Sequence, residues 1–240
     1  MSPETIILGG QVIDYTLKRS QRRSIGFTIS HDGLTVTAPK RLAKRDIEHG
    51  LREKSHWVLS KLDDWAKRPK PRQIKFESGE NLSWLGGELA LEMVQRGVRT
   101  TVRRREGILQ LSHDAALSGA LKARTLKTAL ARFYKREGLA LMAPKVEAYA
   151  HQLGRSVSQV LVRDQKRRWG SCAPDGTIRL NWRLMGFPES LIDYVCAHEA
   201  AHLVEANHSP AYWAVVESVM PDWKARRKQM RDEADQWVPF

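Results

Sequence analysis

Apolar and polar residues change period several times along the chain, and each change marks an expected element. Ile25, Phe27 and Ile29 alternate with small or polar neighbours, His31-Asp32-Gly33 supplies a turn, and Leu34, Val36 and Ala38 alternate again as far as Pro39. Alternation at period two on both sides of a glycine turn predicts a β-hairpin. Ile47, Leu51, Val58, Leu62 and Trp65 then recur at helical spacing with charges between them, predicting a helix over 43–67. A basic connector bearing Pro69 and Pro71 follows. Leu82 and Trp84, the Gly86-Gly87 pair, and Leu89, Leu91 and Met93 predict a second hairpin. Segments 98–102 and 108–111 read as short strands meeting at Gly107.

Beyond them, Leu126, Leu130, Phe133 and Leu141 share one helical stripe within residues 117–153, a helix that Pro144 should kink or split. Segments 157–163 and 177–184 predict strands. In the latter Ile178, Leu180, Trp182 and Leu184 share one face, and Arg179, Asn181 and Arg183 the other. Ala173-Pro174-Asp175-Gly176 supplies the turn ahead of it. Pro188 and Glu189 suit the opening of a helix. A last helical region covers 210–236, interrupted near Pro221, and no internal repeat is evident in the sequence.

The helix opened by Pro188 carries His198-Glu199-Ala200-Ala201-His202. Residues four apart project from one helix face a turn apart, the spacing that sets two imidazole nitrogens about 2 Å from one zinc ion. Glu199 is turned about 100° from His198, close to a metal without being forced to ligate it. That is the place of a general base for metal-activated water. Leu191, Val195, His198 and His202 continue one stripe, and Ile192, Cys196, Glu199 and Leu203 the next, so the histidines should be half-buried.

A histidine pair at this spacing also occurs in ordinary cores, and five residues alone leave that reading open. His208 narrows it, because a hydrolytic zinc site wants three protein ligands and an open fourth position. An unbroken helix would carry His208 about 9 Å along its axis, so the residue converges only if the helix stops between Leu203 and Asn207. Asn207 is the residue there best able to turn left-handed, and His208-Ser209-Pro210 reads as a restart. Glu205 stands where the metzincin form of this spacing has glycine.

Arg168-Trp169-Gly170-Ser171-Cys172, Leu180-Asn181-Trp182-Arg183-Leu184, the HEAAH segment, Asn207-His208-Ser209 and Trp213 together resemble the YgjP-type metal-dependent hydrolases, relatives of the SprT and WLM minimal zinc peptidases. The resemblance spans most of the chain and is most specific in its last third. It implies an α+β fold: a β-rich N-terminal region, 1–115, with hairpins and the helix 43–67, then a compact zincin-like core, 116–240, of antiparallel strands and the HExxH helix. It also implies Zn2+ held by His198, His202 and His208, with Glu199 catalytic. Ala200 departs from the larger aliphatic usual at that position, which bears on packing behind the helix.

Other residues admit two readings each. Arg168, Trp169 and Gly170 could bind substrate along an edge strand, Gly170 letting that backbone approach closely, or Trp169 could anchor in the core and Arg168 stand on the surface. Tyr212 could donate to a developing oxyanion or pack in the core. Glu205 could support a ligand imidazole or stand solvated. Cys196, on the far side of the helix from His198, should be a buried thiol; Cys172 is expected in the core or at a strand end.

Composition then bounds the partners. A net charge of +13, with cations clustered at 18–23, 40–45, 67–75, 96–105, 166–168 and 224–228, makes nucleic acid or another polyanion a possible partner, although dispersal over the chain fits ordinary solubility equally well. No apolar run reaches membrane-span length, and no secretion signal is visible, so a cytoplasmic location is expected. The expected function is zinc-dependent hydrolysis, most simply of peptide bonds, with polypeptide as substrate. The alternatives are a metal-dependent nucleotide pyrophosphatase or phosphohydrolase, and a basic nucleic-acid-binding protein with structural zinc. The sequence does not specify oligomeric state.

Overall fold

The computed structural model describes residues 2–67, 73–165 and 168–240. The expected proline-bearing connector and two of the clustered cations, Lys166 and Arg167, fall outside these. The chain divides into two compact units, Met1–Lys70 and Pro71–Phe240.

In the first unit β1 (Ser2–Leu8) and β2 (Gln11–Ser20) form a hairpin beyond those expected from apolar alternation. Its turn, Gly9-Gly10, has φ of 54° and 79°. Two successive left-handed residues are what a type I′ hairpin turn requires, and glycine meets that at no steric cost. The expected hairpin follows as β3 (Gly26–Ser30) and β4 (Gly33–Pro39). The single helix expected over 43–67 is two, α1 (Lys44–Glu53) and α2 (Ser55–Ala66), broken at Lys54, whose φ and ψ of −100° and 15° leave the helical region. Ile47, Leu51 and Val58 still bury against Tyr15, Leu34 and Val36 in one core.

The second unit begins with β5 (Asn81–Trp84), β6 (Gly87–Gln95), β7 (Thr101–Arg105) and β8 (Ile108–His113). Its sheet has the order β5-β6-β8-β7, and the first unit's has β1-β2-β4-β3. Each is two antiparallel hairpins joined by a parallel pairing of their second strands. In both, the first hairpin turns on Leu-Gly-Gly (Leu8-Gly9-Gly10, Leu85-Gly86-Gly87), and the second on an acidic residue followed by glycine (Asp32-Gly33, Glu106-Gly107). The chain therefore contains an internal repeat of topology, correcting the expectation of none. The repeat lives in pairing order and turn residues, while the strand side chains between them differ.

α3 (Gly119–Gln152) runs unsplit through Pro144. Its buried stripe continues on both sides, with Met142 before the proline and Val146 and Ala150 after it, so tertiary packing outweighs one lost backbone bond. A three-stranded sheet follows, of β9 (Gln159–Arg163), β10 (Gly170–Cys172) and β11 (Thr177–Asn181) in the order β10-β11-β9. β10 is antiparallel to β11, but β9 pairs in parallel, where antiparallel strands were expected. The strand expected to reach residue 184 stops at Asn181. A 3₁₀ turn over Trp182–Gly186 takes its place, with the Asn181 side chain accepting from the Arg183 N–H. Trp182 and Leu184 are both buried in that turn, and so mimic strand alternation.

α4 (Glu189–Ala201), α5 (Pro210–Val219) and α6 (Trp223–Trp237) complete the chain. The β5–β6 turn donates from Leu85 and Gly86 to the carbonyls of Met185 and Gly186. The expected 115/116 boundary thus runs inside the second unit, whose β5–β8 sheet shares a core with α3 and α4. Among the described residues no helix is long and apolar enough to cross a membrane.

A Cβ at Gly186 would collide with the Trp237 carbonyl oxygen and lie 3.0 Å from Pro239 Cδ. Gly186→Ala should therefore cost about 1–3 kcal/mol of unfolding free energy in urea, as overpacking does. An unchanged midpoint would show that the last four residues are not fixed there.

Candidate metal centre

α4 is buried almost all round: Leu191, Ile192, Val195, Cys196, Ala197, Ala200 and Ala201 are at most 4% exposed. Small residues on its second half let neighbouring elements approach, and Ala200 is one of them. The helix ends at once after His202. Leu203 and Val204 donate to Ala200 and Ala201 three residues back, and Glu205 also closes on Ala201. This tightening, rather than a left-handed Asn207, stops the helix, since Asn207 is not among the residues with positive φ. α5 then restarts as expected, with Pro210 in its first turn and the Ser209 hydroxyl accepting from the Tyr212 N–H.

The turn brings His208 back onto α4. Side-chain ligand atoms of His198, His202 and His208 all lie within 4.8 Å of one another. His198 and His208 face each other Nε2 to Nε2 at 3.1 Å. Nitrogens on a tetrahedral zinc are about 3.3 Å apart when each bond is about 2.0–2.1 Å. The Nδ1 of His202 donates to the Glu205 carbonyl at 3.1 Å, because a carbonyl can only accept, leaving the Nε2 lone pair free. Glu205 thus supports a candidate ligand through its main chain rather than its carboxylate.

Burial pushes the His198 pKa down to about 3, with His202, His208 and Arg227 adding charge repulsion. Burial also lowers that of His202, against its hydrogen bond to Glu205. Neutral imidazole is the form that binds metal, so these residues fit a divalent cation.

Glu199 is 5% exposed, and its Oε2 is buried without a hydrogen-bond partner. Burial raises its pKa to about 8, partly offset by the Arg168 guanidinium. It packs against Gly170, where an added Cβ would collide with Oε1 and lie 2.6 Å from Cγ. The close approach expected of Gly170 is therefore to the carboxylate itself.

β10 is an edge strand, and its pairing parity defines what the edge offers. Asn181 N–H donates to Trp169 and Ala173 N–H to Thr177, so residues 169, 171 and 173 turn their main-chain groups toward β11. Those of Gly170 and Cys172 turn outward, on the unpaired side.

Arg168 is exposed at the entry to this strand, while Trp169 is half-buried with its ring 4.8 Å from Phe187. Asn181, to which the sequence assigns no role, holds the approach: its Nδ2 donates to the carbonyls of Gln165 at 2.7 Å and Arg168 at 3.1 Å. Its trace in the sequence is its place in the Leu180–Leu184 motif, whereas its burial, at 2% exposed, is visible only in the fold. Tyr212 is fully buried, and its hydroxyl donates to the His198 carbonyl at 2.8 Å, a different partner from the oxyanion considered above. Its ring stacks on His202 at 4.5 Å, so it braces the triad. Cys196 is buried, its Sγ 4.0 Å from the Met142 carbonyl, and Cys172 is half-buried; neither joins the triad.

The YgjP-like metallopeptidase domain model matches residues 23–233. The chain belongs to that family. As a YgjP-like metallopeptidase it is, in general terms, a metal-dependent peptidase. A solved structure, the metallopeptidase zymogen of Pyrococcus abyssi abylysin, is similar at 26% identity over 39% of this chain and 95% of its own, with a TM-score of 0.35. No curated protein matches the chain.

Raised above an ordinary 4.5, the Glu199 carboxyl holds a proton in the folded metal-free metallopeptidase that the unfolded chain has lost between pH 4.5 and about 8. Folding stability should fall as pH rises through that window. Glu199→Gln should remove that slope, raising metal-free stability at pH 8 by about 2–4 kcal/mol and leaving it unchanged near pH 4. Parallel urea titrations showing the same pH slope in both proteins would contradict the burial.

Proposed function

We propose that the protein is a zinc-dependent peptidase in which His198, His202 and His208 hold the ion and Glu199 moves the proton. The observation that carries this reading is three imidazoles converging beside a buried carboxyl that has no partner of its own. Nitrogen-only ligation with one position left open suits zinc in a hydrolytic role, as structural sites are four-coordinate and usually rich in cysteine. When bound, zinc supplies Lewis acidity that acidifies water and polarises a carbonyl.

The chain's own residues do the rest. Tyr212 holds the main chain of His198, and the Glu205 carbonyl orients the His202 ring. Glu199, ionised against a divalent cation nearby, accepts the proton of the attacking water at its free Oε2 and returns it to the leaving amine. Gly170 keeps that carboxylate close to β10. The outward main-chain groups of Gly170 and Cys172 suit an extended polypeptide, which would pair with them as an added strand and lay its scissile bond across Glu199. Arg168 and Trp169 would flank the incoming strand.

Two measurements test the assignment. Zinc per chain should be close to one in wild type, and His208→Ala should weaken binding by more than about 100-fold, since loss of supporting contacts alone costs 10–100-fold. Undiminished zinc in that variant would remove His208 from the site. Glu199→Gln should keep zinc while lowering kcat/KM on an unfolded polypeptide by at least about 100-fold. Gly170→Ala should likewise keep zinc and lose rate, because the carboxylate must move. Full hydrolysis by either folded variant would contradict the proposed proton path.

A further inference from the structure

One wall of the triad is built by α5 and α6. Trp213 lies with its ring 5.7 Å from His208 and 6.0 Å from His198. Trp223 stacks on it at 4.2 Å, nearly parallel. The Arg227 guanidinium sits 4.7 Å from the same Trp213 ring. A guanidinium over an indole is held by the ring's negative face and loses little hydration there, so it stays available to an anion.

The other cations of α6 are accounted for within the fold. Lys224 pairs with Glu217, Arg226 with Asp222, and Lys228 and Arg231 both with Asp232. Arg226 also donates to the Ser190 carbonyl. Arg227 is exposed and has no acidic partner among the described residues. Its helical neighbours three and four residues away are Trp223, Lys224, Met230 and Arg231, so no carboxylate on its own helix faces it. Its charge nevertheless reaches His198, Tyr194 and Tyr212.

We propose that Arg227 is a specificity-determining residue: held over Trp213 at the rim of the metal centre, it takes a carboxylate of the polypeptide near the scissile bond. The carboxylate belongs either to an acidic side chain or to the free C-terminus of the substrate, and a guanidinium binds both in the same bidentate fashion. This rests on the peptidase reading above. It adds that the substrate carries a negative charge at a fixed distance from the bond cleaved.

The test uses zinc-loaded full-length Glu199→Gln protein, which binds without turnover, and calorimetry on short peptides. One series exchanges Glu for Gln at successive positions; another compares free-acid with amidated C-termini. At one position, or at the C-terminus, the carboxylate form should bind about 10- to 100-fold tighter, the range of a charge-assisted hydrogen bond. Adding Arg227→Ala or Arg227→Gln should abolish that difference, Arg227→Lys should keep part of it, and Lys224→Ala, a change of the same charge on the same helix, should leave it intact. Thermal melts identify any variant that fails to fold, and having two neutral variants keeps the comparison decisive. A side-chain effect assigns an internal acidic residue; a terminal effect assigns the chain end. Equal affinity of the paired peptides, or discrimination that survives loss of Arg227, overturns the proposal while wild-type hydrolysis leaves the peptidase reading standing. Absence of both binding and hydrolysis for every peptide overturns the two together.

Discussion

Three imidazoles drawn from one stretch of chain converge only if the helix bearing the first two gives out within a turn of the second. Here α4 tightens onto the carbonyls of Ala200 and Ala201, and the chain doubles back so that His208 faces His198 across 3.1 Å. Much else in the region serves that turn. The His202 ring braces it by donating to the Glu205 carbonyl, and Ser209 with Pro210 starts α5 in a direction that brings Tyr212 under the triad. Tyr212 in turn fastens the His198 carbonyl. The contacts of Glu205 and Tyr212 tie two candidate ligands to residues outside α4, as a site held ready for an ion would require.

Burial governs the second half of the site. The Glu199 carboxyl is enclosed between α4 and β10, and the missing side chain of Gly170 makes the enclosure possible. An unpartnered carboxyl in such a place is expensive unless it is protonated or faces a cation. On the proposed reading, the same arrangement that costs stability without a metal would supply a base once positive charge is present. β10 contributes twice: its face presses on Glu199, and its free edge points main-chain groups outward.

What the sequence made legible was mostly local. Spacing alone determines that His198 and His202 share a helix face, and Ser209-Pro210 announces a restart whatever surrounds it. The means of the stop was misread: Asn207 looked suited to a left-handed turn, yet the tightening occurs earlier and is stabilised by a side chain-to-backbone bond from His202. Gly170 was recognisable as a close approach, but its partner is 29 positions away and no periodicity records that. The strand at 177–184 was overextended because a 3₁₀ turn buries Trp182 and Leu184 two apart, as a strand would. The β1–β2 hairpin had its signal in Gly9-Gly10, and the repeat of topology is visible once that turn is set beside Gly86-Gly87. Arg227 also left a trace: its helical neighbours carry no acid, whereas Arg226 and Lys228 each have one four residues away.

The account's central claim is that zinc is held by His198, His202 and His208, with one position left open and no thiolate. X-ray absorption at the zinc edge of the loaded full-length protein tests it directly. The account predicts three imidazole nitrogens and one oxygen at about 2.0 Å. Scattering from sulfur near 2.3 Å, which would draw in Cys172 or Cys196, or a signal from only two imidazoles, would contradict it.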